Sequence, residues 1–341
     1  MEVTQSPSSS LFSPTILDMF RSIFAAKTVQ IAVSYNIPDL LQDGPKSVAE
    51  LAKATGTHED SLYRLLRMLS TIGFVERLEE KRFAETPLSH SLCSNESNPL
   101  RSFVLWLFDH CWSSVGALAH SVKTGQPSFE YVHGMDIWQW NATHPEDQAL
   151  FNQAMASFSR FDEQIVLTHD FSSARVVADI GGGYGVFLRA ILKAHPMLKG
   201  ILYDISPVID EAKEYFAGEQ LEARCQLLAG DFLVAIPTGA DIYILKHVLH
   251  NWNDQDCIRI LSNCRAAGGV GSRIFIVEQV LSFEKPLEDV FVSDMVMLMV
   301  LKGARERSAD EYKTLLEAAG FMLKQVVPFN EMYSLIEGIA I

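Results

Sequence analysis

The sequence predicts an open α/β sheet of seven strands, mainly parallel and closed by a C-terminal antiparallel hairpin. A mostly α-helical segment with a winged-helix pattern precedes it. Three observations predict this. After Phe171, short β-branched runs alternate with amphipathic helical stretches, the pattern of a parallel sheet. The first of those strands runs directly into Gly181-Gly182-Gly183-Tyr184-Gly185. Upstream, two short helical stretches flank Gly56, and a charged hairpin follows Gly73.

Taken in order, residues Met1–Ser10 form a polar tail rich in Ser and Pro. From Ile16 to Tyr35, apolar residues recur at helical spacing. Ser47 is placed to cap a helix over Val48–Thr55, with Glu50 completing a capping box. Gly56 ends that helix, and Thr57 is expected to cap the next, over Glu59–Ile72. Its stripe is Leu62, Leu65, Leu66 and Leu69. Phe74–Glu76 and Arg82–Glu85 read as the wing. Residues Leu100 to His169 keep helical spacing and hold Trp106, Trp112, Trp138 and Trp140, a helical connector. The expected division is therefore residues 1–105, 106–168 and 169–341. Strands follow at Arg175–Ile180, Gly200–Asp204, Cys225–Ala229, Asp241–Leu245 and Arg273–Val277. Helices are expected over Val186–Ala194, Ile209–Phe216, Asp254–Ala266 and Asp310–Ala319. Phe321–Val327 and Tyr333–Ile339 form the hairpin.

Composition narrows the function. A chain of 341 residues, 48% hydrophobic and 21% charged, is ordinary globular protein. Its net charge of −14 argues against nucleic acid, as does a second helix in which Glu59 and Asp60 offset Arg64 and Arg67. The five cysteines lack CxxC spacing and read as free thiols. Apolar runs such as Met295–Leu301 fall far short of the roughly 20 residues a membrane span needs. With no leader-like segment at Met1–Ser10, the expected location is the cytoplasm. Along the sequence, no cluster of His, Cys, Asp or Glu has ligand spacing. Asp254 and Asp256 suit a helix start, and no metal is expected.

The polar residues collect at strand ends. The first strand ends at Asp179 and the glycines, the second at Asp204 and the third before Asp231-Phe232. The fourth ends at Lys246-His247 with His250 beyond, and the fifth at Glu278. In an open parallel sheet, ligands bind beyond those carboxyl ends. The glycine loop lacks the third glycine of a dinucleotide fingerprint, since Val186 stands six positions along from Gly181. An acid just before the loop suits an amino-bearing ligand better than a pyrophosphate. Asp204 is placed to accept two ribose hydroxyls, and Asp231 with Phe232 to meet an adenine amino group and ring.

The motifs DIGGGYG, YDISP, GDF, LKHVLHNW, IVEQVL and GARERSADEY stand in this order. They resemble the S-adenosylmethionine-dependent small-molecule O-methyltransferases of plant caffeate type and bacterial polyketide type. The resemblance covers nearly the whole chain. It implies a Rossmann-like methyltransferase domain behind a winged-helix dimerisation domain, and hence a homodimer. By matching positions, it implies that Asp179, Gly181, Gly183, Asp204, Asp231, Phe232 and Lys246 hold S-adenosylmethionine. His250 resembles the general base, flanked by Glu278 and Glu306, and the product would be S-adenosylhomocysteine. Met155, Phe158, His247, Asn251, Val296, Met297 and Leu301 would line the acceptor pocket. Asn251 stands where many members have an acid. Phe158, Leu301 and Lys302 depart from the more polar residues of phenylpropanoid enzymes. An apolar aromatic or polyketide-like phenol is the acceptor this implies.

Competing readings are N- or C-methylation, or a non-methylating hydroxylation, decarboxylation or cyclisation on the same scaffold. A winged-helix regulator that senses a small molecule is more distant, and a nicotinamide oxidoreductase more distant still. The neutral second helix disfavours the regulator, and the missing third glycine disfavours the oxidoreductase.

Overall fold

The computed structural model describes residues 14–94, 100–160, 169–216, 221–329 and 332–341, and within these leaves out the side chains of 14–15, 109–110 and 156–160. The chain folds as two compact units, Met1–His110 and Cys111–Ile341.

In the first unit the helices are α1 (Pro14–Ser34), α2 (Ile37–Leu41), α3 (Val48–Thr55), α4 (Glu59–Thr71), α5 (Pro87–His90) and α6 (Leu100–Leu105). Strands β1 (Lys46–Ser47), β2 (Val75–Arg77) and β3 (Arg82–Glu85) pair antiparallel in the order β1-β3-β2. Ser47 and Glu50 form the expected capping box, and Gly56 ends α3 at φ 67°. The cap of α4 differs from expectation. His58, in extended backbone, accepts the Ser61 N–H, while the Thr57 hydroxyl meets that of Thr55 at 2.8 Å. Leu62, Leu66 and Leu69 are buried and join Leu51, Phe74 and Phe83 in one core. Leu65 is only half-buried.

The second unit opens with α7 (Trp112–Gly116), α8 (Leu118–Thr124), α9 (Ser128–His133), α10 (Ile137–Thr143) and α11 (Pro145–Arg160). Then follow β4 (Val176–Ile180), α12 (Val186–Ala194), β5 (Lys199–Asp204), α13 (Ser206–Phe216), β6 (Cys225–Ala229), β7 (Ile242–Lys246), α14 (Asp254–Gly268) and β8 (Arg273–Leu281). The unit ends with α15 (Glu288–Val300), β9 (Arg307–Ser308), α16 (Ala309–Ala318), β10 (Phe321–Pro328) and β11 (Tyr333–Ala340). Seven strands lie in the order β10-β11-β8-β7-β4-β5-β6, with β9 pairing the far end of β8. Pairs from β8 through β6 are parallel, and β10 and β11 are antiparallel.

Alternation along each strand divides the core in two. Ala178, Ile180, Tyr243, Leu245, Ile274 and Ile276 face α14 and α16. Val177, Leu202, Ile242, Ile244, Phe275 and Val277 face α12 and α13. The central strands β4, β7 and β8 are covered on both faces, which is why these runs read as nearly continuous apolar segments. The chain runs β4, β5, β6 outward on one side and resumes with β7 on the other side of β4. That reversal opens a crevice at the carboxyl ends of β4 and β7. Helix α15 was not anticipated. It is apolar around much of its circumference, so it lacks the stripe that marks a surface helix.

Candidate active site

The loop after β4 is built on three glycines in left-handed backbone, Gly181 (φ 70°), Gly183 (φ 58°) and Gly185 (φ 71°). A Cβ on Gly181 would lie 2.9 Å from the Val248 side chain, and one on Gly185 2.7 Å from the Phe216 ring. Gly185 therefore supplies close packing against α13, in a loop without the third glycine of the dinucleotide pattern. At the end of β5, Asp204 accepts the Gly183 N–H at 2.9 Å and the Ile205 N–H at 2.7 Å. These bonds tie the loop to the neighbouring strand. Asp179 is 1% exposed, and neither carboxylate oxygen has a partner among the described residues. Burial raises its pKa to about 7, against the pull of Lys246. A buried carboxylate without a donor fits a ligand that brings an ammonium group. Asp231 is exposed and accepts the Leu233 N–H at 2.8 Å. Phe232 stands edge-on to Trp252, with ring centroids 5.6 Å apart. Lys246, at the end of β7, places its ammonium 5.9 Å from the Phe187 ring. The glycines, the three acids and the lysine thus share one edge of the sheet.

Beyond β7, a short 3₁₀ turn over Leu249–Asn251 carries His250. Glu278 is fully buried, and its Oε1 accepts the N–H groups of Val248, Leu249 and His250 at 3.1, 2.9 and 3.3 Å. Those bonds place the His250 loop directly on β8. His250 Nδ1 lies 3.0 Å from Glu306 Oε1 and 3.7 Å from Glu278 Oε2. The same Glu306 oxygen accepts the Ser293 hydroxyl at 2.7 Å. Burial alone opposes a charged ring. Glu278 and Glu306 outweigh it, and the His250 pKa is pushed up to about 9. Burial likewise pushes the Glu278 carboxyl up, with His250 pulling the other way.

His247 sits at φ 53°, a strained backbone for a non-glycine residue, and its ring lies edge-on to Tyr333 and His250. Burial, with Lys246 and His250 nearby, holds it well below the ordinary range, so it is neutral. The Asn251 amide donates to the His247 carbonyl at 3.1 Å. Val296 and Met297 on α15, Leu301 just after it and Met155 on α11 are each half-buried. They stand on two separate helices. The Phe158 side chain lies outside the described residues.

Several residues of this region carry no signal in the sequence. Arg307 is fully buried and donates to the carbonyls of Leu249 and Trp252 at 2.9 and 2.7 Å, and to Asp254 at 2.8 Å. Asp294 accepts the Glu306 N–H at 2.9 Å. Folding also assembles two trios that sequence spacing does not reveal, Glu85-His90-Cys93 and His247-His250-Glu278. In each, the potential ligand atoms lie within 4.8 Å of one another.

A family model for the O-methyltransferase domain matches residues 115–322, and one for the O-methyltransferase dimerisation domain matches residues 17–95. The chain is 38% identical over 317 residues to the mitomycin biosynthesis 6-O-methyltransferase of Streptomyces lavendulae, covering 92% of this chain and 90% of that one. It is 36% identical over 327 residues to the phenazine O-methyltransferase of Lysobacter antibioticus, covering 95% of each. The solved structure of the mitomycin 7-O-methyltransferase superposes with a TM-score of 0.91 at 36% identity, covering 96% of this chain and 97% of the other. The expected fold and the expected family agree with these matches, and the chain belongs to the S-adenosylmethionine-dependent O-methyltransferase family, with that family's dimerisation domain at its N-terminal end.

Proposed function

We propose that the protein methylates a phenolic hydroxyl of an apolar aromatic or polyketide-like small molecule, with His250 as general base. The observation that carries this reading is the buried His250 ring held 3.0 Å from Glu306 and 3.7 Å from Glu278. S-adenosylmethionine supplies the methyl group on a cationic sulfur and leaves as S-adenosylhomocysteine. On this reading Asp179 and Lys246 meet the amino-acid end of the donor, Asp204 the ribose, and Asp231 with Phe232 the adenine. Gly181 and Gly183 let the backbone come close. The Asp179 carboxylate, without a hydrogen-bond partner among the described residues, supports that fit.

The Nδ1–H donates to Glu306, which leaves Nε2 to take the acceptor's proton. An ordinary imidazole near pKa 6.5 falls about 3.5 units short of a phenol near 10, roughly 4.8 kcal/mol. With the ring at about 9, the gap closes to about one unit, roughly 1.4 kcal/mol. The same shift leaves only about one ring in a hundred unprotonated at pH 7. The two acids therefore exchange availability for base strength, and turnover rises with pH.

Met155, Phe158, His247, Asn251, Val296, Met297 and Leu301 are read as the acceptor's surroundings. Relatives named for mitomycin biosynthesis and for phenazine support an apolar aromatic acceptor. Residues 1–105 are read as the dimerisation domain, 106–168 as a connector contributing to the pocket, and 169–341 as the catalytic domain. The matched dimerisation family supports a homodimer. So does an exposed apolar face on α1 formed by Ile16, Met19, Phe20 and Ile23. Among the described residues, no helix is long and apolar enough to cross a membrane, and all five cysteines are free thiols. Both fit work in the cytoplasm.

The test is calorimetric titration with S-adenosylmethionine of wild type and Asp204→Ala, followed by S-adenosylhomocysteine release with a panel of polycyclic phenols. Binding abolished by Asp204→Ala and turnover lost in His250→Ala are expected. A folded wild type that binds no donor, or a His250→Ala variant at full rate, would overturn the reading.

A further inference from the structure

We propose that Glu85, His90 and Cys93, in the N-terminal unit, bind a divalent transition cation of zinc-like character. The residues converge because the chain turns at once after a strand. Glu85 is the last residue of β3, and the next residue, Thr86, forms a capping box with Ser89 that starts α5 immediately. The Cys93 N–H continues the turn by bonding to the His90 carbonyl at 3.1 Å. His90 and Cys93, three residues apart, therefore share a face, and Glu85 lies against it.

The spacing suits a metal. His90 Nδ1 is 3.0 Å from Glu85 Oε1, and Cys93 Sγ is 3.6 Å from the same oxygen. All three ligand atoms fall within 4.8 Å of one another. Tetrahedral zinc, with bonds of about 2.0–2.3 Å to N, O and S, separates neighbouring ligand atoms by about 3.3–3.7 Å. Movements of a few tenths of an ångström for two contacts, and closure of the third from within 4.8 Å, would complete the site.

The chemistry selects the cation. A thiolate, an imidazole and a carboxylate are together too soft for calcium or magnesium and match zinc or cobalt. Cys93 is buried, while the His90 side chain is 48% exposed and that of Glu85 25%. The thiol anchors the floor, and the mouth opens to water, which would supply the fourth ligand. Without a cation the thiol keeps its proton and donates to Glu85, and burial with that carboxylate holds its pKa at about 12. A dication takes the place of that proton, which passes to solvent, and balances the two negative ligands. A surface His–Glu pair would be unremarkable by itself, but a buried thiol adds nothing to such a pair and completes a ligand set.

The test uses the full chain, stripped with chelator and titrated separately with zinc sulfate and cobalt chloride. Zinc uptake is read by calorimetry and elemental analysis, and cobalt by its sulfur-to-metal charge-transfer absorption. The expected result is one equivalent per chain with that absorption present. Cys93→Ser should abolish the absorption, and His90→Gln should weaken zinc binding by at least about tenfold. Cys225→Ser, at a half-buried thiol elsewhere, should leave both unchanged. If Cys93→Ser does not fold, His90→Gln decides, because its side chain is half-exposed. Absence of stoichiometric uptake, or uptake indifferent to His90→Gln, overturns the proposal. So does uptake lost in a His250 variant, which would place the ion on His247, His250 and Glu278.

Discussion

His250 Nδ1 and Glu306 Oε1 stand 3.0 Å apart, although 56 residues separate them in the chain. That bond sets the ring's tautomer. With the buried charge of Glu278 beside it, it also sets the pH at which the ring is free to accept a proton.

The rate should follow that pH. A base works only when unprotonated, so kcat/KM should climb about tenfold per pH unit and level off near 9 rather than near 6.5. Glu306→Gln removes a raising charge and should move the plateau to lower pH, with lower kcat. His250→Ala should lose about 10²–10⁴ in kcat. Initial rates of S-adenosylhomocysteine release from pH 6 to 10 check all three, and a profile flat above pH 7 would contradict the assignment.

Arg307→Met should unfold the protein more easily without touching any reacting atom. It strips donors from the Leu249 and Trp252 carbonyls and releases Asp254. The expected loss is about 2–4 kcal/mol, from the lost guanidinium hydrogen bonds and the altered packing, since the Leu249 carbonyl keeps the Trp252 N–H. Denaturant unfolding measures it. Because the clamp holds the His250 loop, kcat should fall more than KM changes.

Asp179→Asn should move stability and donor binding in opposite directions. The native carboxyl has a folded pKa near 7, above its unfolded value of about 3.9, so the unfolded state gives up the proton first. Stability is therefore lost progressively as pH rises from about 4 to about 7 and is constant above. The amide removes that penalty, and a gain of about 4 kcal/mol is expected at pH 8, with donor affinity falling. Thermal melts at pH 5 and pH 8 would separate the two variants, and equal differences at both pH values would refute the account.

Gly181→Ala tests the loop. Its backbone is left-handed at φ 70°, and the added methyl would stand 2.9 Å from Val248, beside the His250 turn. About 1–2 kcal/mol of strain is expected, seen as at least about a tenfold rise in the donor Kd with the far-ultraviolet spectrum unchanged. Gly183→Ala meets no atom within 4 Å and shares only the backbone strain, so it should cost less.

Much of the fold was legible because it is local. Ser47 and Glu50 announced a helix start that the structure keeps, and the short apolar, β-branched runs at Arg175–Ile180 and Arg273–Val277 placed two strands of the sheet. The Ser308-Glu311 capping box carries the same signal at the start of α16, yet it was not read from the sequence. Thr57 was misread as a cap because Thr and His at adjacent positions offer two acceptors, and backbone conformation chooses between them. Helix α15 escaped because it is apolar around much of its circumference and so has no continuous polar face to set its period.

The sequence by itself determined the layered α/β class, the glycine loop and the arrival of Asp179, Asp204, Lys246 and His250 at or just past strand ends. Those follow from periodicity, from turn chemistry and from the rule that parallel strands deliver their ends to one edge. Glu278, expected at the end of the fifth strand, lies instead inside β8, which pairing with β9 and β11 extends to Leu281. Only the tertiary structure decided that Ser293 and His250 share one Glu306 oxygen, that Arg307 clamps the His250 loop, and that Glu85, His90 and Cys93 meet. Side-chain contacts between distant segments depend on how helices and loops pack on the sheet, and that packing minimises exposed apolar area and unpaired buried polar groups over the whole unit at once. No short stretch of sequence carries that information.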